Sequence, residues 1–295
     1  MIETGSIKEA LIEAVIIKAG IIKRAVQSVT NDAFELTIET TESNETFLLP
    51  MRSVTSIDID WGDGTVDTGI TSDNPTHVYA TADTYAISVT GTAGTVLFFG
   101  SGSESKLKTV TNLGALGWTS FNSSFRNCSS MTSFDAGDCD TSSVTSMFRT
   151  FYSCSSLTTL NVSSFNTSFV TNIGAMFNNC TSLTTLDLSS FDTSSVKNVT
   201  TMFLSCSSLT DIVGVEDFNI EGLNATFSLD NFAFGVTLPT ARYDQLLINW
   251  DAQEPFDNMT PNFGNSQYTA GGAAEAARTS LRDGDGWTIT DGGSV

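Results

Sequence analysis

The residues of this chain that could carry acid–base or metal chemistry are few and poorly spaced for it. The single histidine, His77, has no second histidine or cysteine beside it, whereas a working imidazole needs a partner that fixes its tautomer and orientation. Carboxylates gather at Asp58, Asp60 and Asp63, and again at Asp283 and Asp285. Asp58 and Asp60 would share one face of a strand, but the loop of roughly twelve residues that presents calcium ligands at set positions is missing. No serine lies in a G-x-S-x-G turn, and no C-x-x-C pair offers a zinc site. The spacing therefore predicts no catalytic residue, no metal and no cofactor. The expectation is a protein that is not an enzyme.

Cysteine spacing points instead to structure. Cys128, Cys154, Cys180 and Cys206 lie 26 residues apart each time. Phe125, Phe151, Phe177 and Phe203 keep the same step, as do Met131, Leu157, Leu183 and Leu209. Phe134, Leu160, Leu186 and Ile212 follow, with Val144, Val170 and Val196. A fixed period of this length means units that bury their apolar faces only by stacking on one another. Thiols in such a column behave as small apolar groups. Adjacent strands lie about 4.8 Å apart, against about 3.8 Å between the Cβ atoms of a disulfide, so the ladder predicts reduced cysteines. Cys139 falls in the slot of Phe165 and Phe191, another core position.

Charge narrows the function classes. A net charge of −20 and a pI near 4.1 exclude nucleic acid as a partner, since no basic surface is available to release phosphate counterions. The same acidity disfavours anionic membrane surfaces. No run reaches the roughly 18 uncharged apolar residues of a membrane span, and the acidic start M-I-E-T-G-S-I-K-E-A lacks the basic opening of a secretion leader. At 295 residues and 40 % apolar content, the chain suits about two domains with real cores.

Taken in order, residues 6–19 predict a helix, opened by the Ser6–Glu9 capping box and stopped at Gly20. Ile7, Leu11, Val15 and Ile16, with their apolar neighbours, leave almost no polar side. Such a helix must bury itself against another surface, so 1–30 is expected to be an anchor that also joins copies into a homo-oligomer. From Ala33 the period changes to two, with Phe34, Leu36 and Ile38 on one face and Asp63-Gly64 as a hairpin signal. A small antiparallel β-sandwich over 31–92 follows from this. Its W-G-D-G-T (61–65), H-V-Y (77–79) and Y-x-I-x-V (85–89) resemble a polycystic-kidney-disease (PKD)-type module, an immunoglobulin-like adhesion fold. That resemblance implies a spacer or ligand platform.

The repeat occupies 93–222. Its fullest unit, M-F-N-N-C-T-S-L-T-T-L-D-L-S-S-F-D-T-S-S-V-K-N-V-T-T (176–201), resembles the BspA-like leucine-rich-repeat family of bacterial surface and phage proteins. The resemblance implies a parallel-stranded solenoid, receptor contact and no catalysis. Beyond Ile212 the period is lost. Tyr243, Leu246, Leu247 and Trp250 predict a helix with Thr240 as its N-cap, followed by a second helix from Ala270 and a strand at G-W-T-I-T. Residues 223–295 would then cap the open edge of the last coil. The expected fold is mainly β with some α: a PKD-like sandwich, a leucine-rich-repeat-like solenoid of 26-residue units and a helical C-terminal cap.

In that solenoid the outward strand positions are Thr159, Asn161 and Ser163 in one coil and Thr185, Asp187 and Ser189 in the next. They make a regular polar face able to hydrogen-bond a glycan or protein. The expected function is a phage virion structural protein, a tail or capsid fibre or spike, that touches the host through this face. The N-terminal helix would hold it to neighbouring virion proteins. Two alternatives are a purely structural decoration or assembly protein and a bacterial adhesin at the cell surface.

Overall fold

The computed structural model describes residues 32–223, 229–253 and 255–295. The expected helix over 6–19, with the anchor residues Ile7, Leu11, Val15 and Ile16, lies outside the described residues. Residues 32–295 form one compact unit.

Alternation works as the sequence suggests in the first strands. β1 (Phe34–Glu39) buries Phe34, Leu36 and Ile38 and exposes part of the residues between them. β2 (Glu45–Leu48), β3 (Met51–Asp60), β4 (Val66–Ile70), β5 (Thr76–Tyr79) and β6 (Thr84–Val96) follow. The W-G-D-G-T segment is the β3–β4 turn. Gly62 sits there at φ +81°, and a Cβ on it would fall 2.3 Å from the Ala86 carbonyl oxygen, so only glycine fits. Trp61 is wholly buried, its Nε1–H donating to Asp67 at 2.9 Å while its carbonyl accepts the Tyr79 hydroxyl at 2.9 Å.

The expected sandwich followed by a separate solenoid is corrected by the sheet topology. β1 pairs with β6 along one edge and, antiparallel, with β7 (Leu107–Asn112) along the other. β7 in turn opens a parallel run through β8 (Ser133–Asp135) and β9 (Thr159–Asn161). One mixed seven-stranded sheet, in the order β4-β3-β6-β1-β7-β8-β9, thus crosses the boundary drawn at residue 92. β2 and β5 pair only with each other, and β10 (Thr185–Asp187) and β11 (Asp211–Val213) form a parallel pair of their own. Neither a self-contained PKD-type sandwich nor a closed leucine-rich-repeat solenoid is shown. The physical reason is that β1 has two free edges, and its alternating pattern does not say which strands will fill them. Asn112 reinforces the join, its Nδ2 donating to the Ala33 carbonyl at 2.9 Å.

The periodic residues do stack. Phe125, Phe151, Phe177 and Phe203 form a column with ring centroids 5.7, 5.8 and 5.7 Å apart and planes within 9° of parallel. Phe232 closes it edge-on at 84°. Beside it run the cysteines. Three of the four thiols donate to the phenylalanine carbonyl of the preceding coil: Cys154 to Phe125, Cys180 to Phe151 and Cys206 to Phe177, at 3.0, 3.1 and 2.9 Å. All five cysteines are free. Burial pushes the thiols of Cys128, Cys154 and Cys180 far up and that of Cys206 to about 12. Cys139 is only half-buried at the edge of the core.

Two α-helices complete the described fold, α1 (Thr240–Asp251) and α2 (Ala273–Asp283). Pro239, not Thr240, takes the position before α1, and no side chain caps it. Proline's fixed φ suits a helix start. α1 buries Tyr243, Leu246, Leu247 and Trp250, and Trp250 meets Phe232 and Phe263 at 5.8 and 5.7 Å. The expected strand at G-W-T-I-T is reduced to a single parallel bridge from Thr290 to Asn262.

Candidate ligand-binding face

Acid–base candidates are occupied in holding turns. Asp58 Oδ1 accepts the Gly69 N–H at 2.8 Å and Asp60 Oδ1 the Gly62 N–H at 3.0 Å. Asp63 accepts the Thr65 hydroxyl at 2.6 Å and lies 2.7 Å from His77 Nε2. The Thr65 hydroxyl first, then His77, holds the Asp63 carboxyl down at about 2. His77 itself stacks on Trp61 at 5.0 Å and meets Tyr79 edge-on at 4.7 Å. Among the described residues, no group of histidine, cysteine and carboxylate side chains is arranged to hold a metal ion.

The polar strand positions are exposed as the alternation requires. Thr159 and Asn161 lie on β9, Thr185 and Asp187 on β10, and Ser163 and Ser189 just beyond each strand. Their core-side neighbours, Val162, Leu186 and Leu188, are buried and Leu160 is half-buried. The ladder has a break in it: β9 ends the large sheet and β10 begins the two-stranded one. Asn161 Nδ2 reaches back across the unbroken part to Asp135 at 3.0 Å.

Local turns also occupy much of this face. Asn161 Oδ1 accepts both the N–H and the hydroxyl of Ser163, at 3.1 and 2.8 Å. Asp187 Oδ1 does the same for Ser189, at 2.9 and 2.6 Å, and the Ser189 hydroxyl draws its carboxyl below the ordinary range. Asp140, Asn166 and Asp192 repeat the device one turn further along, accepting from the N–H of Ser142, Ser168 and Ser194. Aspartate and asparagine bonding to the backbone two residues on is the standard Asx turn. The D-x-S and N-x-S spacings were the visible signal for it. Thr159, Thr185 and Asp187 are exposed, and among the described residues the two threonine hydroxyls and the second oxygen of Asp187 accept and donate no hydrogen bond.

Sequence reasoning did not find a second concavity. Asp211, Glu216, Pro239, Ala241, Arg242 and Gln245 line an open cleft of about 280 Å³ where α1 meets the last coil. Arg242 bonds Asp211 at 3.0 Å through Nε and Glu216 through Nη1. Its charge is met by two carboxylates, so the cleft is a closed ion-pair network more than an open receptor.

Among the described residues no helix is long and apolar enough to cross a membrane. A family model described as "Mycoplasma protein of unknown function, DUF285" matches residues 119–232. No curated protein and no solved structure matches the chain. The match corrects the resemblance drawn from the repeat and from W-G-D-G-T. It covers the repeat and not the first strands, and neither a leucine-rich-repeat solenoid nor a PKD-type module is shown.

Proposed function

We propose that this chain is a phage virion surface protein that binds the host envelope through its strand face, as a contact module and not as a catalyst. The observation that carries the reading is the set of outward groups at Thr159, Thr185 and Asp187, fixed over a buried ladder of Val162, Leu186 and Leu188. Rigid, repeated hydrogen-bonding groups on a packed scaffold lose little entropy on binding. The net charge of −20 favours a neutral or cationic receptor, because like charges across an interface are penalised. Copies would join each other and the particle through the N-terminal segment.

The test keeps the turns and removes only the free groups. A variant with Thr159→Ala, Thr185→Ala and Asp187→Asn retains the oxygen that Ser189 needs. It should bind host envelope extract about tenfold more weakly, equivalent to about 1.4 kcal/mol, and melt as the parent does. Parental binding by this folded variant would reduce the face to a solvated wall. Gold-labelled antibody against the chain should decorate purified phage particles. A second reading, a bacterial surface adhesin, is favoured by the match to a family described from Mycoplasma. Label on bacterial cells with none on particles would select it.

A further inference from the structure

Lys106, Lys108, Arg242, Arg278 and Arg282 each hold a carboxylate. The half-buried Arg126 and Arg149 form no ion pair among the described residues. That is unexpected in a chain with 33 acidic and 13 basic residues. Both are stacked on rings instead. Arg126 Cζ lies 3.9 Å from the Phe99 centroid and 5.0 Å from that of Tyr152. Arg149 Cζ lies 4.6 Å from the Phe148 centroid and 5.6 Å from that of Tyr152. In each arginine Nε is buried with no hydrogen-bond partner among the described residues.

A buried donor without an acceptor is unfavourable, and two such donors whose guanidinium groups both lie near the Tyr152 ring need an explanation. Cation–π contact holds the guanidinium planes, and among the described residues no acceptor bonds their other nitrogens. The repeat does not require this arrangement. The slot of Arg126 holds Tyr152, Asn178 and Leu204 in later coils, and the slot of Arg149 holds Ser123, Ala175 and Thr201. The left-handed backbone at this slot, φ +58° at Arg149 and +60°, +52° and +53° at Ser123, Ala175 and Thr201, belongs to the repeat, whereas the arginine side chain does not. The two arginines belong to successive early coils alone and share no residue with the Thr159–Thr185 face.

We propose that Phe99, Arg126, Phe148, Arg149 and Tyr152 form a binding site for a single carboxylate carried on an otherwise neutral sugar ring. Two flat guanidinium forks match a carboxylate's paired oxygens. Phe99 is 36 % exposed and offers an apolar face to the C–H side of a pyranose. The charge of −20 repels a polyanion, which favours one acidic group on a neutral body over an acidic peptide.

Saturation-transfer NMR on the full chain tests this with methyl glucuronide, methyl glucoside and a pentaglutamate peptide. The glucuronide should bind at least about tenfold more tightly than the glucoside. Arg126→Gln with Arg149→Gln should abolish that binding while melting within about 2 °C of the parent. Equal binding of both sugars, undiminished glucuronide binding by the folded double variant, or binding of pentaglutamate alone would overturn the assignment. Should the double variant fail to fold, Arg149→Lys serves in its place, since it keeps the charge and loses the flat fork. It should bind the glucuronide about tenfold more weakly, and parental affinity would overturn the site.

Discussion

Replacing Phe177 with alanine removes the third of four rings in the column, leaving Phe151 and Phe203 each without a stacking partner that stood 5.8 and 5.7 Å away. Phe177 is fully buried, so the cost is lost transfer energy plus an unfilled cavity, about 3–5 kcal/mol for a core phenylalanine. The two ring pairs, worth about 0.5–1.5 kcal/mol each beyond area burial, place the value at the upper end. For a unit of this size 1 kcal/mol moves the melting temperature by roughly 2–4 °C, so a fall of about 10 °C or more is expected. Thermal melting by far-ultraviolet circular dichroism would measure it. Phe169→Ala is the control: that ring is 64 % exposed, and its loss should change stability by no more than about 0.5 kcal/mol. If the two variants melted together, the column would not be the element that holds the coils in register. Because each coil leans on the next, Cys180 and Cys206 should also label faster in the Phe177 variant.

Other consequences can be checked with the same material. Natively, a thiol reagent should leave Cys128, Cys154, Cys180 and Cys206 unmodified and reach Cys139 slowly, with all five labelled after denaturation; native labelling of the four would contradict their burial. Asp63 has its folded value depressed from 3.8 to about 2, so its stabilisation is fully present above pH 3.8 and disappears as pH falls through about 2. Urea titrations across that window should show Asp63→Asn to be less stable than the parent above it and to lose the slope within it. Gly62→Ala should destabilise by more than the roughly 1–2 kcal/mol of left-handed strain, because its Cβ would also strike Ala86. A melting curve like the parent's would show that the β3–β4 turn relaxes.

What the sequence determined by itself was the phase. Spacing of 26 residues was enough to place the phenylalanine, cysteine and leucine columns inside, since a side chain that recurs with the coil must meet its own copy in the next coil. It was also enough to anticipate free thiols and the buried face of α1, Tyr243, Leu246, Leu247 and Trp250. Tertiary structure decided how the strands join. β1 reads as half of a hairpin partnership with β6, yet its second edge takes β7 from 68 or more residues away in the chain, and nothing local encodes that choice. It also decided which polar groups are free. Asn161 and Asp187 look alike in sequence as outward ligands, but Asx turns take one oxygen from each and Asp135 takes the amide of Asn161. The Arg126–Tyr152–Arg149 cluster arises the same way: Phe99 lies ahead of the first cysteine-bearing unit, and only the folded chain brings it over Arg126. Periodicity reports burial because burial recurs, whereas edge pairing and side-chain exchange between coils are single events that only the folded chain brings about.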